Sequence, residues 1–297
     1  MMNVNYVLIT PARNEDRFIE RTIKSILAQT VLPKKWIIVS DGSKDRTDEI
    51  VKKYAATSSI ITFINTLEQP DRSFGSKVAA FNLGLENLQV IEYDFIGNLD
   101  ADISFSPDYY EQIINKFREN PKLGIAGGVR KDIIDGRALT IKSARNSVAG
   151  GFQLFRKKCF DDIGGYMRLE YGGIDAVAEI SARMLGWEVE SFTDIVAEHH
   201  KPTGSAAGNI FKQKYRAGIK FYLLGYPPIF PLIRFGLRLK QKPIILGSLI
   251  SIIGYYWAWL LRFKRPVSDD FVKFLRMEQK IRILNLFLRK KNPLVKT

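Results

Sequence analysis

Between residues 6 and 99 the chain alternates short, continuous apolar runs with stretches whose apolar positions recur at helical spacing. YVLIT (6–10), WIIVS (36–40), IITFI (60–64) and DFIGNL (94–99) read as strands, while Phe18, Thr22, Ile23, Ile26 and Leu27 mark one face of a helix. Strands without polar alternation, separated by amphipathic helices, predict a mostly parallel, Rossmann-like sheet covered on both faces, hence an α/β domain. Ligands of such sheets sit at the carboxyl ends of the strands. The polar segments that follow three of the runs, TPARNE (10–15), DGSKD (41–45) and DAD (100–102), are therefore expected at one edge.

After GIAGGV (124–129) the pattern changes. SVAGGFQLFRKKCFDDIGGY (147–166) is rich in Gly and aromatic residues, and IDAVAEISARMLGW (174–187) follows with an apolar helical stripe at Ile174, Val177, Ile180 and Met184. Gly186 is placed to end that helix. Beyond HHKPTGSAAGN (199–209) the character shifts again, which divides the chain into residues 1–208 and an appendage, 209–297. The appendage carries FYLLGYPPIFPLIRFGLRL (221–239), then PIILGSLISIIGYYWAWLL (243–261) without a charge, then Phe271, Phe274, Leu275, Ile281, Leu284 and Leu288 along a basic terminal helix.

Charge changes the picture more than composition does. The formal net charge is +14, but residues 201–297 hold 20 Lys and Arg against 3 Asp and Glu, whereas residues 1–200 hold 25 against 28. A polybasic segment attracts nucleic acid or anionic lipid. Here its aromatics cluster with Ile and Leu in uncharged runs rather than alternating with the basic residues, which argues against nucleic acid and for a membrane surface. The run 243–261 is at the lower limit of spanning length, with Tyr255, Tyr256, Trp257 and Trp259 near one end. A peripheral, re-entrant or single-span placement at the cytoplasmic face is expected, and a packed helical subdomain is the alternative. The lone Cys159 excludes an internal disulfide framework. The segment MMNVNYVLITPARNE shows no secretory signal, so the first domain is expected in the cytosol.

Asp100 and Asp102 close an apolar run with one small residue between them. On extended chain, side chains two apart share a face, roughly 6 to 7 Å from one another, so the pair can share a cation and its ligand, or simply solvate a turn. A nicotinamide enzyme would need Gly-x-Gly-x-x-Gly after its first strand, where this chain has TPARNE.

Pro11, Asn14 and Glu15 after one strand, then a helix, then Asp41, Gly42, Ser43 and Asp45 after the next, resemble the start of the family 2 glycosyltransferases, which have the GT-A fold. GSKVAAFNLGLE (75–86), DAD, GGFQLFRKKCFDDIGGY and Gly186-Trp187 continue the resemblance in family order over roughly residues 5 to 205. It implies an inverting enzyme that moves a sugar from a nucleotide-diphospho-sugar to a hydroxyl. The donor would be UDP-linked by preference, with GDP- or dTDP-sugars as alternatives, and the cofactor Mn²⁺ or Mg²⁺. On the same basis Pro11, Ala12, Asn14, Glu15, Asp41, Lys77 and Asp100 are donor-binding residues and Asp102 is a metal ligand. Of the chain's two histidines, adjacent at 199 and 200, His200 is preferred as a further ligand, and Lys201 is a candidate phosphate contact.

Inversion needs a base for the acceptor hydroxyl. In the family it is the Asp of a Glu-Asp pair eleven residues before a Gly-aromatic pair, which maps to Asp175, preceded here by Ile174. Glu179, one helical turn on, is the runner-up. Asp45 reads as a helix cap completed by Asp48. The appended membrane-contacting segment suggests a lipid-linked saccharide or cell-envelope glycan precursor as acceptor. A polyprenyl-phosphate sugar synthase of the same fold and a non-catalytic sugar-nucleotide-binding module are the alternatives.

Overall fold

The computed structural model describes residues 4–66, 74–134, 136–141, 144–201, 209–237 and 245–291, the side chains of 74, 234–237 and 285–291 excepted. Two compact units result, Met1–Ser205 and Ala206–Thr297.

In the first unit, β1 (Tyr6–Ala12), β2 (Lys35–Asp41), β3 (Ile61–Thr66) and β4 (Phe95–Asn98) are the predicted strands. They pair in parallel in the order β3-β2-β1-β4. Tyr6 to Ile9 and Trp36 to Val39 are fully buried, as strands covered on both faces must be. The helices α1 (Ile19–Leu27), α2 (Thr47–Thr57) and α3 (Phe74–Glu86) supply the cover. Gly84 lets α3 lie close to the sheet, because a Cβ there would stand 2.6 Å from Ile9.

Past β4 the sheet becomes mixed. β5 (Ile103–Phe105) and α4 (Tyr109–Glu119) precede the long β6 (Leu123–Ile134) and its hairpin partner β7 (Arg137–Thr140). β8 (Leu154–Arg156) then inserts antiparallel between β4 and β6. After α5 (Lys157–Asp162) and α6 (Ile174–Met184), β9 (Glu188–His199) runs parallel to β6 and antiparallel to β5. Gly186, at φ +86°, ends α6 as expected, with the Trp187 N–H returning to the Ala182 carbonyl.

The second unit packs α7 (Ile210–Leu223), α8 (Ile229–Leu237), α9 (Leu246–Leu260) and α10 (Asp269–Lys291). The α7–α9 crossing is set by two glycines. A Cβ on Gly218 would lie 2.0 Å from the Ser251 carbonyl oxygen, and one on Gly254 would lie 2.2 Å from that of Tyr215. Tyr255 is buried against Tyr222, and its hydroxyl donates to the Tyr226 carbonyl at 2.7 Å. Among the described residues no helix is long and apolar enough to cross a membrane. The basic segment 238–242 and the side chain of Leu288 lie outside the described residues.

Candidate active site

The loops after β1 and β2 are locked to one another by short polar contacts. Asn14 takes a left-handed conformation (φ 55°), which Asn tolerates better than most residues. Its side-chain carbonyl accepts the Lys44 N–H at 2.8 Å, and its own N–H donates to the Ser43 hydroxyl at 3.2 Å. The Glu15 N–H donates to the Thr47 hydroxyl at 2.8 Å. Asp45 accepts from the Thr47 and Asp16 N–H groups, so it caps the start of α2 and ties it to the β1 loop. Asp48 does not complete that cap; it accepts from Ser40 and Asn65 instead. Asp41, the last residue of β2, is buried, with Arg13 3.7 Å away. Glu15 is buried too and receives the Lys201 ammonium at 2.6 Å. Pro11 and Ala12 finish β1 below these groups.

The DAD segment is held by a loop that the sequence marks with two glycines. Asn98 donates its N–H to the Gln153 carbonyl at 3.0 Å and its amide to that of Gly150, while the Asp100 N–H reaches the Gly151 carbonyl at 2.8 Å. Side chains here would crowd the two carboxylates. A Cβ on Gly150 would stand 3.0 Å from Asp175 Oδ2, and one on Gly151 would stand 3.0 Å from Asp100 Oδ2. The glycine pair is thus the wall shared by the two carboxylates.

Lys77, in the first turn of α3, closes the group with its Nζ 2.5 Å from Asp100 Oδ1. Burial alone would favour its neutral amine. Asp100, with Asp102 and Asp175 also within electrostatic reach, outweighs that and holds the ammonium above its ordinary value. Asp100 thus pairs with this cation directly, and the charges of Asp102 and of Asp175, in the first turn of α6, act on it from farther off.

Asp102 is buried, and its Oδ1 has no hydrogen-bond partner. Burial, with Asp100 beside it, pushes its carboxyl up to about 6. An orphaned, desolvated carboxylate oxygen suits a cation, since a bound divalent ion supplies what the protein leaves out. His199, not His200, faces it, with Nε2 3.7 Å from Asp102 Oδ2. His200 spends both ring nitrogens elsewhere. Its Nδ1 meets the Arg21 guanidinium at 2.9 Å and its Nε2 meets the Ser104 hydroxyl at 2.7 Å; burial and Arg21 lower its pKa. Among the described residues no group of three or more His, Cys, Asp or Glu is spaced to hold a metal. Among the described residues Asp102 and His199 are the pair that could contribute ligands to an ion whose other ligands would come from phosphate oxygens and water.

Glu179 is built into the support for this site. It is buried one turn along α6 from Asp175, and its Oε1 accepts from the Val148 N–H at 2.7 Å and the Gln153 amide at 3.0 Å; Gln153 in turn accepts from the Tyr166 hydroxyl at 2.7 Å. Burial, then the charge of Asp175, raises its carboxyl to about 7. Asp175 itself makes no such tie to the 148–153 loop and stands against the bare backbone of Gly150. Sequence reasoning missed Asn98, Gln153, Tyr166, Arg21 and Asp132. Only the adjacent Gly150 and Gly151 carried a visible signal, and their meaning depends on a pairing 50 residues away.

An acidic edge on a half-parallel sheet, with a lysine among the carboxylates, is the arrangement of a GT-A-type nucleotide-sugar transferase. The profile described as "Glycosyl transferase family 2" matches residues 7–168, and the chain belongs to that family, an enzyme of the glycosyltransferase class. Among curated proteins it is 31% identical over 267 residues to the poly-beta-1,6-N-acetyl-D-glucosamine synthase of Staphylococcus aureus (strain COL), covering 84% of this chain and 61% of that protein. The synthase of the same name from Staphylococcus epidermidis is 28% identical over 198 residues, 60% of this chain and 44% of that one. The chain thus spans less than two thirds of the length of these relatives. Two solved structures share its fold: a mannosyltransferase from Pyrobaculum calidifontis in complex with GDP-Man and Mn²⁺ (TM-score 0.55, 15% identity, 95% of this chain and 81% of that one), and S. aureus TarS 1–349 in complex with UDP-GlcNAc (TM-score 0.54, 14% identity, 92% and 80%).

Proposed function

We propose that the chain transfers a sugar, with inversion, from a UDP-sugar to a hydroxyl of a lipid-linked saccharide or cell-envelope glycan precursor at the cytoplasmic face of a membrane. The observation that carries the transfer is the adjacent glycine pair, Gly150 against Asp175 and Gly151 against Asp100, with Lys77 paired to Asp100 and the buried Asp102 two residues on. Asp41 and Glu15, at the neighbouring strand ends, take the nucleoside side of the donor, and Asp100 with Lys77 the sugar and diphosphate side. Asp175 takes the proton of the acceptor hydroxyl as that oxygen attacks the anomeric carbon and the nucleoside diphosphate leaves. Mn²⁺ or Mg²⁺, held by Asp102 and His199, would neutralise the charge that grows on the departing diphosphate. Lys77 is free to follow the same charge once donor phosphate competes with Asp100 for its ammonium.

UDP-N-acetylglucosamine is the first donor to test, because the curated relatives are named for an N-acetylglucosamine polymer and one structural neighbour was solved with that nucleotide sugar. The membrane reading is supported by the second unit. On α9 the exposed residues Leu246, Leu249, Ile253, Trp257 and Leu260 form one stripe opposite the buried Gly247, Gly254, Tyr255 and Ala258. An apolar stripe on a strongly basic unit fits a helix lying in an anionic bilayer surface. A helix of 15 residues is shorter than the roughly 20 a span requires.

Purified full-length protein, given UDP-GlcNAc, GDP-mannose or a dTDP-sugar with Mn²⁺ and a membrane extract as acceptor source, is expected to release UDP. Release of another nucleotide would move the donor assignment, and no release with any of them would overturn transfer in favour of a binding module.

A further inference from the structure

His199 stands at a crossing of three strands. On β9 it is paired with Asp132 of β6 on one side and with Ile103 of β5, next to Asp102, on the other. That pairing is not the simple continuation of the β6–β9 ladder. Gly128 lies opposite Phe192, yet Val129 lies opposite Val196, so β9 carries a bulge at Thr193, Asp194 and Ile195. Without the bulge, Asp132 would face Val196. Gly128 makes room for it: a Cβ there would stand 2.4 Å from the Ile195 carbonyl oxygen, and its N–H and carbonyl are taken by the Tyr109 and Ser191 hydroxyls.

The consequence is a specific contact. Asp132 is buried, with Arg130 3.0 Å away, and its Oδ1 lies 3.0 Å from His199 Nδ1. A carboxylate is an acceptor only, so Nδ1 carries the ring proton and donates it. Nε2, left with its lone pair, lies 3.7 Å from Asp102 Oδ2, in the same carboxyl as the orphaned Oδ1. Two acceptors facing each other repel, and a cation or a proton between them relieves the repulsion. Two atoms each about 2.1 Å from one ion can be at most about 4.2 Å apart, so the spacing admits one.

We propose that Asp132 is a positioning residue, which fixes the Nδ1–H tautomer and the ring plane of His199 so that Nε2 and Asp102 present a divalent-cation site. The inference deepens the metal part of the proposed function and rests on it. A carboxylate behind a ligating histidine raises its basicity, and loss of such a partner typically weakens metal binding about 10- to 100-fold.

Because the chain has only two histidines, ¹⁵N-histidine labelling of the full-length protein reads both rings directly. His199 is expected as the Nδ1–H tautomer and His200 as the Nε2–H tautomer, since His200 accepts from Arg21 at Nδ1. In Asp132→Ala the His199 tautomer preference should be lost, and Mn²⁺ affinity, followed by the electron paramagnetic resonance of the free ion, should fall about 10- to 100-fold. Asp132→Asn keeps a carbonyl acceptor and should restore the tautomer and most of the affinity, which a merely structural role would not separate. Nε2–H or a doubly protonated ring at His199 in the native protein would overturn the inference. So would Mn²⁺ binding that falls in His199→Ala but is unchanged in Asp132→Ala. Failure to release any nucleotide would instead overturn the transfer reading and leave the tautomer and Mn²⁺ results standing.

Discussion

In Met1–Ser205 Trp36, Tyr6, Tyr109, Phe81 and Phe155 are among the largest fully buried side chains, and the charged groups at the sheet edge are paired or enclosed. In Ala206–Thr297, Trp257 and Trp259 are about half exposed, beside Leu249, Ile253 and Leu260. The first unit uses its apolar residues to build a rigid platform, so that carboxylates can be held out of water at fixed spacing. The second brings α7 and α9 together through Gly218 and Gly254 and leaves large apolar surface outward. Exposed apolar surface on a cationic unit is a liability in water and an asset at a lipid surface, because area buried in the bilayer and attraction to anionic headgroups add. On the proposed reading the difference divides chemistry, in the first unit, from placement, in the second.

The strongest test of that separation is Asp175→Asn. Transfer should fall about 10²- to 10⁴-fold, with donor binding by calorimetry and vesicle binding retained. Retained activity there, with loss in Glu179→Gln, would move the base to Glu179. On the other side, full-length protein should sediment with anionic vesicles at low salt and be released as salt rises, since each basic residue near such a surface contributes about 1 kcal/mol. Ile253→Glu should weaken that binding about tenfold while leaving donor affinity unchanged. Sedimentation that ignores both salt and Ile253→Glu would break the comparison, leaving the second unit as a packing domain.

The smallest effect sharpens the role of Glu179. Its carboxyl is raised to about 7 in the folded chain, so the folded state binds that proton more tightly than the unfolded one. The resulting contribution is fully present below the ordinary Glu range and is lost as pH rises toward 7. Glu179→Gln retains an acceptor for Val148 and Gln153 without that loss. The difference in Tm, variant minus native, should therefore be more positive at pH 8 than at pH 5. A flat or reversed difference would show that the loop donors favour the charged form.

What the sequence determined by itself is everything that depends on local periodicity. Buried strands 6–10, 36–40, 61–64 and 95–98 announce themselves because a strand covered on both faces has no polar alternation, and Gly186 ends α6 because few other residues accept φ +86°. The grouping of strand-end polar segments follows from parallel topology, so Asp41, Asp100 and Asp102 fall at one edge of the sheet. Tertiary structure decided what depends on contacts between distant segments. That Gly150 stands against Asp175 and Gly151 against Asp100 requires the hydrogen bonds between the end of β4 and the 150–153 loop. That His199 rather than His200 turns to Asp102 depends on the parity of β9, because successive side chains point to opposite faces and the bulge opposite Gly128 sets which residue Asp132 meets. Two adjacent identical residues carry no local signal to tell them apart; only the neighbouring strand does.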